Sequence, residues 1–166
     1  MIYIGIDNGL QGALAAIGDT GEIISVIPMP TTGKKSGNEI IPEDIVVWLQ
    51  DIQELVSPDL TLVIEVPGKF SPGRMALTSM WDSFGSLRTI AATQKLRYHR
   101  VPPQRWQAKM LPGCAAGDTK PAALARVKQL WPRYEVPLLK EKGKSVKHHG
   151  VPDALLIAEY ARLERL

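Results

Sequence analysis

The sequence is short of the residues that mark secreted, zinc-binding and membrane-spanning proteins. Its single cysteine, Cys114, excludes an internal disulfide and any zinc site built from several cysteines. No apolar run approaches about 18 residues, so no segment predicts a membrane span. The six residues before the first acid, Asp7, contain no basic and then apolar leader. We therefore expect a cytoplasmic protein that is neither secreted nor membrane-spanning.

A strong net charge is also missing. The 20 lysine and arginine residues against 17 aspartate and glutamate residues give a net charge of +3. This mild excess permits a polyanionic partner without requiring one. The basic residues crowd into residues 140–149, whereas many acids lie in the first 60 residues. The length of 166 residues and the 45% hydrophobic content predict a single domain over 1–166 with a full core of sheet and helix.

The N-terminal stretch predicts a strand that ends in an acid. Isoleucines alternate with other residues over 2–6, which is the period of a strand in a buried sheet. Asp7 ends this run, and an unpaired carboxylate at the edge of a core is costly unless a metal, a partner or water satisfies it. Asn8-Gly9 predicts a tight turn into a second strand at 13–17. Asp7 therefore either makes a turn hydrogen bond or binds a ligand at the strand tip.

The rest of the chain alternates between strand and helix patterns. A third strand at 23–29 completes a three-strand meander. The remaining predicted elements are strands at 60–66 and 97–101, helices at 42–56, 75–95, 104–111 and 120–130, and a C-terminal helix with Pro152 in its first turn. Residues 133–147 are predicted to form a mobile loop. The apolar stripe of the helix at 75–95 is broad and aromatic, and it serves either the core or a partner subunit.

Two further acids and one histidine stand out. Glu65 lies near the end of the near-continuous apolar strand, where it either points to solvent or meets a cation. Asp153 lies in the first turn of the C-terminal helix, where an acid either compensates the helix dipole or acts as a ligand. His149 lies about one helical turn earlier. A lone histidine is usually a surface or core residue, so Asp153 carries more weight.

Together these side chains predict a metal-dependent catalytic site. The oxygen ligands of Asp7, Glu65 and Asp153 suit Mg²⁺ or Mn²⁺ rather than zinc. Carboxylates on two strands and one helix are able to hold two ions about 3.5 to 4 Å apart, the spacing used for in-line phosphodiester hydrolysis. His149 then serves as a ligand, as a general base or as a group that positions the attacking water.

Basic residues near aromatic ones predict contacts with nucleic acid. Arg105 precedes Trp106 in the short helix, and such pairs bind phosphate and stack on bases. Packing in the core explains Trp106 equally well. The candidates that follow from these residue types are Lys69, Phe70 and Arg74 before the long helix, Arg105, and Lys144 and Lys147 in the basic segment.

In the order of these features the chain resembles the RuvC-type Holliday junction resolvases of the RNase H-like superfamily, including phage members. The resemblance covers essentially the whole chain, through residues 5–9 with 12–13, 62–65, 83–90, 102–106, 119–120 and 153–158. It implies an α/β fold with a five-stranded mixed sheet, in which a three-strand meander is followed by parallel strands, flanked by helices. It further implies a homodimeric, magnesium-dependent endonuclease that cuts four-way DNA junctions symmetrically in recombination, repair or phage DNA processing.

The resemblance also implies roles for individual residues. Asp7, Glu65 and Asp153 match three catalytic acids of the family, and Lys120 matches a basic position that meets DNA phosphates. The loop around Phe70 lies where the family approaches the junction centre. Two positions depart from the family pattern. Asn8 replaces the usual proline, and the fourth acidic position is occupied by His149 or Gly150, although some relatives have histidine there.

Three other functions fit parts of the same pattern. A nuclease of the same fold that cuts flaps or other branched DNA shares the acids. A sugar-kinase or actin-like ATPase also opens with a strand, an Asp-x-Gly and a hairpin, but it needs a second lobe for which 166 residues leave no room. An inactive DNA-binding module is expected to have lost an acid, whereas all three acids are present here.

Overall fold

The computed structural model describes residues 1–33, 37–68, 74–115, 117–141 and 144–166. One sheet contains β1 (Ile2–Asp7), β2 (Ala13–Gly18), β3 (Ile23–Pro28), β4 (Leu60–Glu65) and β5 (Arg97–Val101), in the order β3-β2-β1-β4-β5. The first three strands are antiparallel, and β4 and β5 run parallel to β1. The helices are α1 (Pro42–Leu55), α2 (Arg74–Thr93), α3 (Pro103–Met110), α4 (Thr119–Leu130) and α5 (Gly150–Glu164). The predicted five-stranded mixed sheet flanked by helices is confirmed.

The segment predicted as a loop at 133–147 is partly strand. Strand β6 (Leu138–Glu141) pairs with β7 (Lys144–Lys147) in a separate antiparallel sheet, with Leu139 opposite Val146. The prediction was wrong because lysines dominate the local composition and hide a short alternation that becomes visible only when the two strands pair. In the described part of the chain no helix is long and apolar enough to cross a membrane.

The first hairpin forms as predicted, but its turn lies later. Asn8 is fully buried and donates a hydrogen bond from Nδ2 to the backbone oxygen of Glu65 at 3.0 Å. The chain reverses over the next residues, where the Gly12 amide donates to the Gly9 oxygen at 2.7 Å. The predicted Asn8-Gly9 turn is therefore wrong in position, because the asparagine side chain joins β1 to β4 instead.

The two faces of the sheet are covered by different helices. On one face, which we call the α1/α2 face, Ile4, Ile6, Leu62 and Ile64 pack against apolar residues of α1 and α2. On the opposite face, which we call the α5 face, Tyr3 and Val63 contribute to a cluster with α3, α4 and α5. Because side chains alternate along a strand, Gly5, Asp7 and Glu65 belong to the α5 face.

Helix α5 lies unusually close to β1 because glycines leave room for it. A methyl group on Gly5 would lie 2.1 Å from the backbone oxygen of Ala154 in α5. At the start of α5, a methyl group on Gly150 would lie 2.5 Å from the Cα of Gly12, in the link between β1 and β2. Contacts this short are excluded for any side chain, so the glycines let the first turn of α5 rest directly on the end of β1.

Candidate active site

Two acids meet at the carboxyl edge of the sheet. Strands β1 and β4 are adjacent and parallel, and Ile6 pairs with Ile64. The next residues, Asp7 and Glu65, therefore end neighbouring strands on the same face. Crevices at this edge of parallel strands are where open α/β sheets bind ligands.

Asp153 is the third acid of the group. It lies in the first turn of α5, which Gly5 and Gly150 seat against β1. Burial raises the pKa of Asp153 to about 8, and the negative charge of Asp7 contributes to that increase. Burial likewise raises the pKa of Glu65 to about 8, with further contributions from Asp7 and Asp153. The three half-buried carboxylates therefore form one group, in which Asp7 disfavours the ionisation of Glu65 and Asp153, and Asp153 disfavours that of Glu65.

Asp7 interacts electrostatically with both of the other acids. Its charge acts on both Glu65 and Asp153, and burial raises its own pKa to about 6. The Gly9 amide donates to Asp7 Oδ1 at 3.2 Å, which favours the ionised form. The two interpretations of Asp7 from the sequence are thus compatible, since it makes the turn hydrogen bond and also belongs to the acid group.

Lys120 is a basic residue whose charge acts on two of the three acids. It is the second residue of α4, it is exposed, and its charge lowers the pKa of both Asp7 and Asp153. The position that the sequence resemblance assigns to phosphate contact therefore borders the acids.

Glu65 is held by two donors that the sequence did not identify. The indole Nε1 of Trp106 donates to Glu65 Oε2 at 2.6 Å, and Asn8 binds its backbone oxygen. Glu65 thus points into the site and not into solvent. The contact follows from the strand register, which the sequence does not show: Val101 of β5 pairs with Glu65, and α3 begins two residues later. That register brings the first turn of α3, with Trp106, over the acid.

His149 is not joined to the acids. It occupies the position before the first residue of α5, and its Nδ1 is shielded from solvent without a hydrogen-bond partner among the described residues. Burial lowers the pKa of the neighbouring His148, and the adjacent His149 lowers it further. Across the described ranges, no group of three or more His, Cys, Asp or Glu side chains is arranged to hold a metal ion.

The other predicted contacts with DNA lie around this edge or outside the described part. Arg105 is exposed on α3 next to Trp106, and Lys147 is exposed at the end of β7. Lys69 and Phe70 lie outside the described residues, as do the side chains of Arg74 and Lys144. The roles of these six residues in DNA binding stay predictions.

Comparisons with known proteins give matches in structure only. No protein-family model and no curated protein matches the chain. A solved structure described as Thermus thermophilus RuvC in complex with Holliday junction substrate matches with a TM-score of 0.63 and 16% sequence identity, over 99% of this chain and 95% of that one. A second Thermus thermophilus RuvC structure matches with a TM-score of 0.61 and 17% identity, over 99% and 96%. The predicted likeness to RuvC and its RNase H-like fold is confirmed.

Proposed function

We propose that this chain is a metal-dependent endonuclease that resolves four-way DNA junctions by paired phosphodiester hydrolysis. The observation that carries the proposal is the convergence of Asp7, Glu65 and Asp153 in one desolvated site at the carboxyl edge of the sheet. The similarity in fold to RuvC, including a structure with a Holliday junction substrate, supports the choice of substrate. The same acids would serve a flap nuclease of this fold, so the substrate is the part that most needs a direct test.

The donor set fits a divalent cation. The acids provide only oxygen ligands, which suit Mg²⁺ and Mn²⁺. Burial raises the pKa of each acid, the charge of Asp7 raises those of Glu65 and Asp153 further, and a bound cation would offset both effects. Asp7, Glu65 and Asp153 are therefore the residues that would hold the cation, and the charge of Asp7 acts on both of the others.

Such ions, when bound, lower the pKa of an attacking water and neutralise charge on the scissile phosphate. The residues of this chain supply the rest. We assign to Lys120 the binding of a phosphate oxygen, because its positive charge acts on both Asp7 and Asp153. Gly9 places no side chain beside Asp7 Oδ1, where a methyl group would lie in ordinary contact at 3.6 Å. We assign to His149 the positioning of the attacking water, with a structural role as the alternative.

Paired cuts require two copies of the site, and the exposed side of α2 suits a two-fold contact. Trp81 is 47% exposed there, and a methyl group on Gly85 would meet nothing within 4 Å. If two α2 helices cross in antiparallel orientation at Gly85, Trp81 of one lies over Thr89 of the other. The same crossing sets Asp82 opposite Arg88, and all four of these side chains are exposed. An isologous dimer needs this kind of self-complementary surface.

A charge exchange tests the dimer. Asp82→Arg and Arg88→Asp each place like charges across the proposed crossing, so we expect each to weaken self-association in sedimentation velocity. The double variant restores opposite charges and should recover the dimer. Single variants that dimerise like the unmodified chain would exclude this surface.

Cleavage of a panel of DNA substrates tests the activity. Labelled four-way, three-way, flap and duplex DNA are incubated with the protein in Mg²⁺, in Mn²⁺ and in EDTA. We expect paired symmetrical cuts in the four-way junction, none of them in EDTA. Exclusive cutting of flaps would replace the resolvase proposal with the flap nuclease, and the absence of any cutting would reject both.

A further inference from the structure

We propose that Trp106 is a positioning residue, which together with Asn8 fixes the Glu65 carboxylate in the orientation that binds the catalytic cation. The inference rests on the proposed nuclease function, which it deepens by assigning a role to two neutral side chains. Trp106 and Asn8 are neutral, so they support the carboxylate of Glu65 and do not supply the negative charge that binds the cation.

The indole of Trp106 is placed to orient Glu65 and not to contact DNA. Its Nε1 donates to Glu65 Oε2 at 2.6 Å, and this hydrogen bond lowers the pKa of Glu65 against the larger effect of burial. Its ring is 0% exposed and belongs to the hydrophobic cluster under α5. A ring with no exposed surface cannot stack on a base, which excludes the stacking role considered from the sequence. Rotation of the carboxylate would break the hydrogen bond.

Asn8 fixes the backbone that carries the same carboxylate. Its Nδ2 donates to the Glu65 backbone oxygen at 3.0 Å, and the residue is 0% exposed. The hydrogen bond joins the two strands beyond their last backbone pair, Ile6 with Ile64. Glu65 is therefore held at its backbone from β1 and at its side chain from α3. Ligands need this support because a small displacement of a metal-binding carboxylate weakens the site.

Paired tryptophan variants separate positioning from packing. Trp48 is the matched control, since it is 9% exposed and donates from Nε1 to Ser25 Oγ at 2.9 Å on the α1/α2 face. Trp106→Phe and Trp48→Phe each remove one buried indole donor. We expect Trp106→Phe to lower kcat for junction cleavage by about 10- to 100-fold and to raise the Mg²⁺ concentration for half-maximal rate, with little change in KM. Trp48→Phe should leave all three parameters within about twofold of the unmodified enzyme.

An isostere covers the case in which Trp106→Phe fails to fold. Replacement of Trp106 by 3-benzothienylalanine keeps the bicyclic shape and removes the N–H donor. The same loss of kcat in this folded variant supports the positioning role. A cleavage rate equal to that of the unmodified enzyme overturns the role and leaves the nuclease function standing.

The indole N–H signals in NMR give a readout that does not depend on activity. The four tryptophans of the chain provide one test signal and internal controls, because Trp131 also donates a hydrogen bond, to Gly21 at 2.7 Å. We expect Mg²⁺ to shift the Trp106 signal but not those of Trp48 and Trp131, and Glu65→Gln to abolish this response. If the protein cuts no DNA, the proposed function fails and this response alone decides: its presence supports the positioning role, and its absence overturns it.

Discussion

Both faces of the sheet have a hydrophobic core, but they differ at the carboxyl end of β1. On the α1/α2 face, β1 contributes Ile4 and Ile6, both completely buried among large aliphatic side chains. On the α5 face, the same strand contributes Gly5 and then Asp7. Because side chains alternate along a strand, β1 stabilises the core on one face and contributes an acid to the candidate active site on the other.

Burial of aliphatic side chains on the α1/α2 face offsets the unfavourable contribution of the acids on the α5 face to the free energy of folding. Burial of a large aliphatic side chain stabilises a fold by roughly 1.5–3 kcal/mol. The acids on the α5 face oppose folding when ionised, since burial and mutual repulsion raise the pKa values of Glu65 and Asp153 to about 8. Substitutions on neighbouring residues of β1 should therefore separate the two contributions.

Asp7→Asn against Ile6→Val should give the largest contrast. Asp7→Asn removes the acid that acts on both others, so we expect loss of Mg²⁺-dependent junction cleavage with junction binding retained. Ile6→Val, one residue earlier on the opposite face, should lower the free energy of unfolding by about 0.5–1.5 kcal/mol and leave the cleavage rate unchanged. Cleavage assays and gel-shift binding check both variants. Full cleavage by Asp7→Asn would contradict the assignment of Asp7 to the active site.

Gly5→Ala against Ile4→Val compares the packing of the two faces. The added methyl group of Gly5→Ala would meet the backbone of α5 at 2.1 Å, which only a shift of the helix can relieve. We expect it to lower the free energy of unfolding by about 3 kcal/mol or more. Ile4→Val removes one methylene and should cost about 1 kcal/mol. Chemical denaturation measures both, and equal losses would show that the close seat of α5 has no special importance.

The pH dependence of stability should come largely from the α5 face. Because the folded-state pKa values of Asp7, Glu65 and Asp153 lie above their ordinary values, the folded protein binds more protons than the unfolded chain between about pH 4 and about pH 8. In metal-free buffer the free energy of unfolding should therefore decrease as the pH rises across this window. Asp7→Asn should flatten the decrease, as followed by thermal unfolding at pH 5, 6.5 and 8. If the free energy of unfolding of Asp7→Asn decreased as steeply with pH as that of the unmodified chain, the pH dependence would come from groups outside these acids.

His149→Ala should have the smallest effect of the series. The structure does not join His149 to the acids, so we expect single-turnover cleavage to slow by about tenfold, as for residues that act on a metal site indirectly. A rate equal to that of the unmodified enzyme would make His149 a purely structural residue.

The sequence predicted what depends on local pattern. The alternation over residues 2–6 and the apolar run before Glu65 each identify a strand that ends in an acid, and the structure places both strand ends side by side. The helices α1 to α4 also lie within one or two residues of their predicted bounds. These features depend on periodicity, which a single segment carries by itself.

What the sequence did not predict depends on contacts between distant segments. The hydrogen bond from Trp106 to Glu65 joins residues 41 positions apart and follows from the pairing of β4 with β5. The need for glycine at Gly5 becomes visible only when α5 is in place. The hairpin of β6 and β7 lies in a segment whose lysines favour a loop interpretation. In each case the deciding neighbour is absent from the local sequence.

Thermal unfolding in Mg²⁺ shows whether the acids of the α5 face bind a divalent cation. Melting temperatures are compared at pH 8 in MgCl₂ and in NaCl of the same ionic strength, for the unmodified chain and for Asp7→Asn. A ligand that binds only the folded state raises the melting temperature. We predict a rise for the unmodified chain that is lost in Asp7→Asn. An equal rise in both proteins, or no rise in either, would contradict the account.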